Sequence, residues 1–98
     1  MAEIVWTAEA QIWLRDIYDY IAVDNPEAAA RTALGIFQKT QLLKSHPYIG
    51  QRYEFGDPRE VRILLYLHYR IAYLLKPDNN IDILGIFHGA LDIERYLV

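Results

Sequence analysis

The chain has 98 residues, of which 53% are hydrophobic and 13% aromatic, and this composition excludes an intrinsically disordered chain. It contains no cysteine, so disulfide bonds and thiolate zinc sites are excluded as well. A formal net charge of −3 argues against nucleic acid as the direct partner, because surfaces that bind nucleic-acid phosphates usually carry more basic than acidic residues. We expect one compact domain over residues 1–98, without a secretory leader or a membrane-spanning segment.

The first half of the chain has the pattern of a strand followed by two helices. Residues 3–6 are β-prone, and the Thr7 hydroxyl can cap a first helix over residues 8–24. Asn25 can cap a second helix over residues 26–45, and the short turn between the two predicts an antiparallel helical hairpin. The side chains expected to face the core are Ala10, Trp13, Leu14, Ile17, Tyr20 and Ile21 in the first helix and Ala29, Ala30, Ala33, Ile36, Phe37, Thr40 and Leu43 in the second.

The second half of the chain predicts three consecutive β-strands. Residues 61–67, 69–75 and 81–87 are rich in leucine, aromatic and β-branched side chains. The preceding segment, residues 46–60, has little regular pattern and is expected to be a loop. Loops of this length are uncommon inside compact domains and are often functional.

Residues 77–80 are a strong turn signal, and they predict a hairpin between the last two strands. If all four residues form the loop, Lys76 lies opposite Ile81, Ala72 opposite Gly85 and Tyr69 opposite His88. By alternation, one face would carry Tyr69, Ile71, Tyr73, Leu75, Leu84, Ile86 and His88, and the other Arg70, Ala72, Leu74, Lys76, Ile81, Ile83, Gly85 and Phe87. Both faces are largely apolar, so helices are expected on one side and a second cover or a partner on the other.

This order of elements, with several short motifs, resembles the ParE/RelE toxin superfamily of bacterial type II toxin–antitoxin operons. The resemblance spans nearly the whole chain and is carried by Trp6-Thr7 with the helix that follows, Asn25-Pro26-Glu27-Ala28-Ala29, Pro47-Tyr48-Ile49-Gly50, Glu60-Val61-Arg62, Tyr69-Arg70-Ile71-Ala72-Tyr73 and Ile83-Leu84-Gly85-Ile86-Phe87-His88-Gly89. The Tyr-Arg-Ile-x-Tyr strand and the terminal His-Gly pair are more similar to the ParE branch. The resemblance implies an α+β fold: an N-terminal strand, an antiparallel helical hairpin packed on a mainly antiparallel sheet of about four strands, and a short C-terminal helical segment over residues 90–97.

Resemblance to the ParE branch implies a bacterial cytoplasmic toxin that binds and poisons DNA gyrase and is neutralised by a cognate antitoxin. It implies no cofactor, no metal and no small-molecule substrate. RelE proteins instead cleave mRNA in the ribosome, so a ribosome-dependent endoribonuclease is the alternative. Because the two branches share a fold, the fold alone cannot choose between them.

The nuclease alternative requires groups that transfer protons and cations that stabilise the phosphorane. The available candidates are His88, Tyr96 and Glu54 for the protons and Arg62, Arg70 and Arg52 for the phosphate. A basic concavity containing Arg62, Arg70 and His88 would favour the nuclease, and its absence would favour the gyrase inhibitor.

A partner-binding role is the other prediction, for Arg52, Arg59, Arg62, Arg70 and His88. Arg62 and Arg70 lie on adjacent predicted strands, where they either form one cationic patch or pair with acidic neighbours such as Glu60 or Asp82. His88 is either functional or, as we favour, a structural histidine at a strand end. An antitoxin segment is expected to cover the apolar sheet face or the groove beside the helical hairpin, as an added helix or strand. His46 and His68 lack a metal-ligand spacing and are expected to be ordinary surface histidines.

Overall fold

The computed structural model describes residues 3–54 and 58–89. In chain order they form β1 (Ile4–Trp6), α1 (Ala8–Ala22), α2 (Pro26–Gln41), a 3₁₀ turn (Leu42–Lys44), β2 (Gln51–Arg52), β3 (Glu60–Tyr66), β4 (Tyr69–Leu75) and β5 (Ile81–His88). The strands form one sheet in the order β1-β5-β4-β3-β2, in which β1 is parallel to β5 and the other neighbours are antiparallel. The predicted α+β fold is confirmed, with five strands where about four were expected.

Both helices begin where the sequence predicts, because each has a capping side chain. The Thr7 hydroxyl accepts a hydrogen bond from the Ala10 N–H (3.1 Å) and donates one to the Ile83 carbonyl (2.7 Å). The Asn25 side chain accepts a hydrogen bond from the Ala28 N–H (3.0 Å). Thr7 therefore caps α1 and also fixes the start of this helix against β5.

The helical hairpin packs on one face of the sheet and forms the main core with it. The buried residues of this core are Ala10, Ile36 and Leu43 from the helical half and Leu64, Tyr69, Ile71, Tyr73, Leu75, Ile81, Ile83 and Ile86 from the strands. Tyr20, Ala30 and Phe37 do not follow the prediction, because Ala30 is exposed and 82% and 45% of the surfaces of Tyr20 and Phe37 are exposed. Tyr20 lines the same pocket as His68, and Phe37 stacks on Trp6 with 6.4 Å between ring centroids.

The β4–β5 hairpin has the predicted register at its open end. Tyr69 lies opposite His88 and Ala72 opposite Gly85, as the sequence predicts. Beyond Ala72 the register shifts by one residue, because Leu84 forms a β-bulge without a partner on β4.

The bulge makes the prediction wrong at the turn end of the same hairpin. Leu75, and not Lys76, lies opposite Ile81. The Lys76 N–H donates to the Asn80 carbonyl, so the turn consists of three residues, 77–79, rather than four. An extra residue reverses the alternation of side chains along the strand. As a result, Ile81 and Ile83 pack in the helix-facing core, whereas Leu84 packs against the smaller cluster on the second face.

The turn between β3 and β4 consists of Leu67 and His68, and Tyr66 lies opposite Tyr69 across it. Leu67 has a φ of 53°, in the left-handed region that leucine rarely adopts. The segment predicted as a loop contributes β2, whose pairing with β3 continues in a hydrogen bond from the Tyr53 N–H to the Val61 carbonyl (2.8 Å).

The C-terminal helical segment predicted for residues 90–97 lies outside the described residues. Within the described ranges, neither helix has the length and apolar character that a membrane crossing requires.

Candidate partner-binding sites

Arg62 lies on β3 and is held by groups on three sides. Its Nε donates to the Glu60 carboxylate (2.8 Å), and its Nη1 donates to the carbonyls of Tyr48 (3.2 Å) and Gly50 (2.7 Å). The guanidinium carbon also lies 5.0 Å from the centroid of the Tyr48 ring. Pairing with Glu60, one of the two alternatives drawn from the sequence, is therefore confirmed, and Arg62 fixes the chain that leads into β2.

Arg62 and Arg70 do not form a single cationic patch. Arg62 lies opposite Tyr73 and Arg70 opposite Leu65 in the β3–β4 register, and residues that face each other across an antiparallel pair share one face of the sheet. Tyr73 belongs to the helix-facing core, so Arg62 is on that face and Arg70 is on the other. Arg70 donates from its Nη2 to the Gly89 carbonyl (3.2 Å) at the end of β5.

Arg70 instead shares a concavity with Arg52 at the outer edge of β3. This basic hollow has a volume of about 520 Å³ and is lined by Lys39, Ile49, Gln51, Arg52, Tyr53, Ile63, Leu64, Leu65 and Arg70. Among the described residues of the lining, the three charged side chains are all cations, and they come from α2, β2 and β4. The Arg52 Nε pairs with Glu54 (2.9 Å), which is 76% exposed. The hollow therefore combines an apolar floor with a cationic rim.

Arg59 is exposed and lies in a separate hollow beside Glu60 and Lys76. Lys76 forms an ion pair with Asp82 (3.3 Å) across the β4–β5 hairpin. Arg59 therefore does not extend the basic hollow, and the structure divides the predicted arginines among three places.

His88 lines a third concavity, between α1 and the β3–β4 turn. This aromatic pocket has a volume of about 390 Å³ and is lined by Trp13, Asp16, Ile17, Tyr20, Ile21, His68, Tyr69, Ile86 and His88. The His68 ring centroid lies 5.1 Å from that of His88 and 4.2 Å from that of Tyr69. Burial, and then the nearby Tyr20, raise the pKa of the Tyr69 phenol.

His68 is a pocket residue that the sequence analysis missed. The signal was available, because the correctly predicted pairing of Tyr69 with His88 places the residue before Tyr69 at the same end of the sheet. What was absent from the sequence was a recognisable turn at residues 67–68.

The side chains predicted for RNA cleavage do not line one common concavity within residues 3–54 and 58–89. Arg70 lines the basic hollow, His88 lines the aromatic pocket, and Arg62 lines neither. Glu54 pairs with Arg52, and Tyr96 lies outside the described residues. The three side chains proposed for a nuclease concavity thus point to three different surroundings.

Comparison with known proteins gives one consistent result. Residues 4–93 match the family model described as the ParE toxin of the type II toxin-antitoxin system, parDE. A curated relative named "Putative toxin Y4kP", from Sinorhizobium fredii (strain NBRC 101917 / NGR234), is 33% identical over 86 residues, which cover 88% of this chain and 86% of that protein.

Two solved structures have the same arrangement of elements. The first, described as a chromosomal ParDE TA system from P. aeruginosa, has a TM-score of 0.73 and 26% identity, and the alignment covers 90% of this chain and 96% of that one. The second, the RelBE2 toxin-antitoxin complex from Mycobacterium tuberculosis, has a TM-score of 0.59 and 17% identity, with 89% and 96% covered. At that identity the second likeness concerns the fold alone.

A helical hairpin on a five-stranded mixed sheet is the fold that these two toxin structures share with this chain. With the family match covering nearly all of its length, the chain belongs to the ParE toxin family of type II toxin–antitoxin systems.

Proposed function

We propose that the protein is a growth-inhibiting toxin of the bacterial cytoplasm that binds DNA gyrase, arrests it on cleaved DNA, and is neutralised by a cognate antitoxin. The observation that carries the proposal is the ParE match over residues 4–93, supported by 26% identity to a ParDE structure along 90% of the chain. In this proposal the protein acts by binding and breaks no covalent bond itself.

The geometry of the candidate residues supports an inhibitor over an endoribonuclease. General acid–base cleavage needs proton-transfer groups and cations that reach the same phosphate. Arg62 is occupied by Glu60 and two backbone carbonyls, and Arg70 lies on the opposite face of the sheet. The net charge of −3 also gives little general attraction for RNA.

The basic hollow is the surface that best fits the neutralising segment of an antitoxin. Its rim carries Lys39, Arg52 and Arg70, and no acidic side chain is among the described residues of its lining, so an acidic segment would be electrostatically matched. The Arg52–Glu54 pair at the rim is exposed, and such pairs contribute little stability, so an incoming carboxylate can replace Glu54 at small cost.

The backbone beside the hollow suits an extended segment. The Val61 carbonyl accepts the Tyr53 N–H, so the Val61 carbonyl and the backbone N–H and C=O groups of Ile63 point toward β2. Because the direction alternates along β3, the backbone N–H and C=O groups of Leu65 point to the same side. They lie past the end of β2, which pairs with Arg62 and Ile63. An antitoxin strand could add to the sheet at Leu65, whose side chain is 63% exposed.

Charge reversal tests the antitoxin surface. Lys39→Glu and Arg52→Glu should each weaken binding of the product of the adjoining reading frame by about tenfold at low salt, measured by calorimetry. Lys44→Glu changes the charge equally at an exposed position that does not line the hollow, and its affinity should stay close to that of the wild type. Equal losses in all three variants would reject the hollow as the binding site.

Expression in a bacterial host tests the function. The chain alone should stop growth and induce the DNA-damage response, and co-expression of the adjoining reading frame should restore growth. Transcripts mapped by primer extension should remain intact during the arrest. Codon-dependent cuts in translated mRNA without DNA damage would support the RelE-type nuclease instead.

A further inference from the structure

The proposed function assigns no role to the aromatic pocket, although its lining is rich in aromatic side chains. Five of its nine lining residues carry aromatic rings, namely Trp13, Tyr20, His68, Tyr69 and His88, and they come from α1, the β3–β4 turn, β4 and β5. The Tyr69 and His88 rings are nearly perpendicular, at 89°, with 6.3 Å between centroids. The pocket is therefore lined by aromatic rings that come from four parts of the fold.

Among the described residues that line the pocket, Asp16 is the only carboxylate, and none is a lysine or an arginine. Within the described part of the chain, no basic side chain forms an ion pair with Asp16. Tyr20 lies in the last turn of α1, and that turn carries no basic residue to offset the negative end of the helix dipole. The pocket is thus electronegative as well as aromatic.

We propose that the aromatic pocket receives the guanidinium group of an arginine on a protein partner, with Asp16 as its counter-ion. Aromatic faces attract cations through the ring quadrupole, and arginine adds planar stacking and a fork of donors that matches a carboxylate. Tyr20 forms the outer wall of the pocket, where 82% of its surface is exposed and available to an incoming side chain. This site lies on the α1 side of the sheet, away from the basic hollow at the β3 edge, and its existence does not depend on the identity of the toxin's target.

The two tryptophans of the chain provide a direct assay. Trp13 lines the pocket, whereas Trp6 lies on β1 and stacks on Phe37. In ¹⁵N-labelled full-length protein titrated with N-acetyl-arginine amide, the Trp13 indole N–H resonance should shift and saturate while the Trp6 resonance stays in place. For a single residue we expect a dissociation constant on the order of 10 mM. N-acetyl-citrulline amide, which has the same shape without the charge, should produce no saturable shift.

Matched variants separate the pocket from general charge attraction. Asp16→Asn should weaken arginine binding about fivefold, because it removes the counter-ion. Asp19→Asn removes the same charge from the same helix outside the pocket lining and should leave the affinity unchanged. Tyr20→Ala should abolish the saturable shift, and Tyr20→Phe, which keeps the ring, should retain it.

Three results would overturn the proposal. These are the absence of a saturable Trp13 shift, equal binding of the citrulline compound, and equal losses in Asp16→Asn and Asp19→Asn. Tyr20 and Asp16 are exposed, so their variants should fold, and an unchanged dispersion of the remaining amide resonances verifies this.

Discussion

Replacing Tyr73 by Phe is expected to loosen the segment that leads into β2 without disturbing the sheet. The Tyr73 hydroxyl donates to the Pro47 carbonyl (2.8 Å) and accepts from the Gly50 N–H (3.0 Å). Tyr73 is fully buried, so phenylalanine would keep the packing of the ring and remove only these two hydrogen bonds. The Pro47 carbonyl and the Gly50 N–H would then each lose this hydrogen-bond partner.

The expected loss follows from those two groups. A hydrogen bond contributes about 1 kcal/mol net, and a buried polar group left unsatisfied costs about 1–3 kcal/mol, so Tyr73→Phe should lower the free energy of unfolding by about 2 kcal/mol. For a domain of this size, that corresponds to a fall in Tm of about 10 °C. Urea and thermal unfolding followed by circular dichroism give both values. Tyr20→Phe, which removes an exposed hydroxyl, should stay within about 0.5 kcal/mol of wild type.

The pH dependence gives an independent check. Burial raises the pKa of Tyr73 above its ordinary value of 10.0, against the opposing effects of the Gly50 hydrogen bond and Arg62. The neutral phenol is thus favoured in the folded state, and this stabilisation is complete below pH 10 and lost as the pH rises through the raised pKa. The difference in stability between wild type and Tyr73→Phe should therefore shrink above pH 10. A loss below about 0.5 kcal/mol at neutral pH, or a difference that grows above pH 10, would refute the reasoning.

Three further changes test other parts of the structure. Gly85→Ala should destabilise the fold by about 2 kcal/mol in urea unfolding, because a Cβ there would lie 2.6 Å from the buried Phe87 ring. Gly89→Ala is the control and should be tolerated, since its Cβ would lie 3.4 Å from the nearest atom. Equal stabilities of the two variants would contradict this prediction. Arg62→Ala should cost about 2 kcal/mol through the loss of its carboxylate and carbonyl contacts, and a variant as stable as wild type would remove its structural role. Leu67→Gly should raise Tm, since relief of the left-handed strain, of about 1 kcal/mol, exceeds the entropic cost of glycine; a lower Tm would show that the exposed leucine makes a stabilising contact.

The parts of the fold that depend on local chemistry could be predicted from the sequence. The helix starts follow from Thr7 and Asn25, whose side chains bond to amides three residues further on. The pairing of Tyr69 with His88 was predicted from a four-residue turn, and it is correct because the extra residue at Leu84 compensates for a turn that is one residue shorter. The bulge at Leu84 could not be predicted, because residues 83, 84, 86 and 87 are all apolar and fit either face of the sheet. Because of this extra residue, Ile81 and Ile83 lie on the opposite face of the sheet from the one predicted.

The candidate sites were less predictable, since they depend on register and on long-range contacts. Whether Arg62 and Arg70 share a face is decided by the two-residue turn at 67–68, where leucine occupies a conformation usually reserved for glycine. Lys39 was not considered as a binding residue, because its place in the basic hollow results from the packing of α2 beside β3. Sequence patterns singled out the arginines as candidates but could not predict the different surroundings in which the structure places them.

A DNA supercoiling assay with purified gyrase tests the central proposal most directly. Relaxed plasmid, gyrase and ATP are incubated with increasing amounts of the protein, and the products are released by detergent and protease. The proposal predicts that supercoiling falls while linear DNA accumulates in parallel, and that the antitoxin reverses both effects. Normal supercoiling at a molar excess of the protein, together with cut mRNA in a parallel translation reaction, would contradict it.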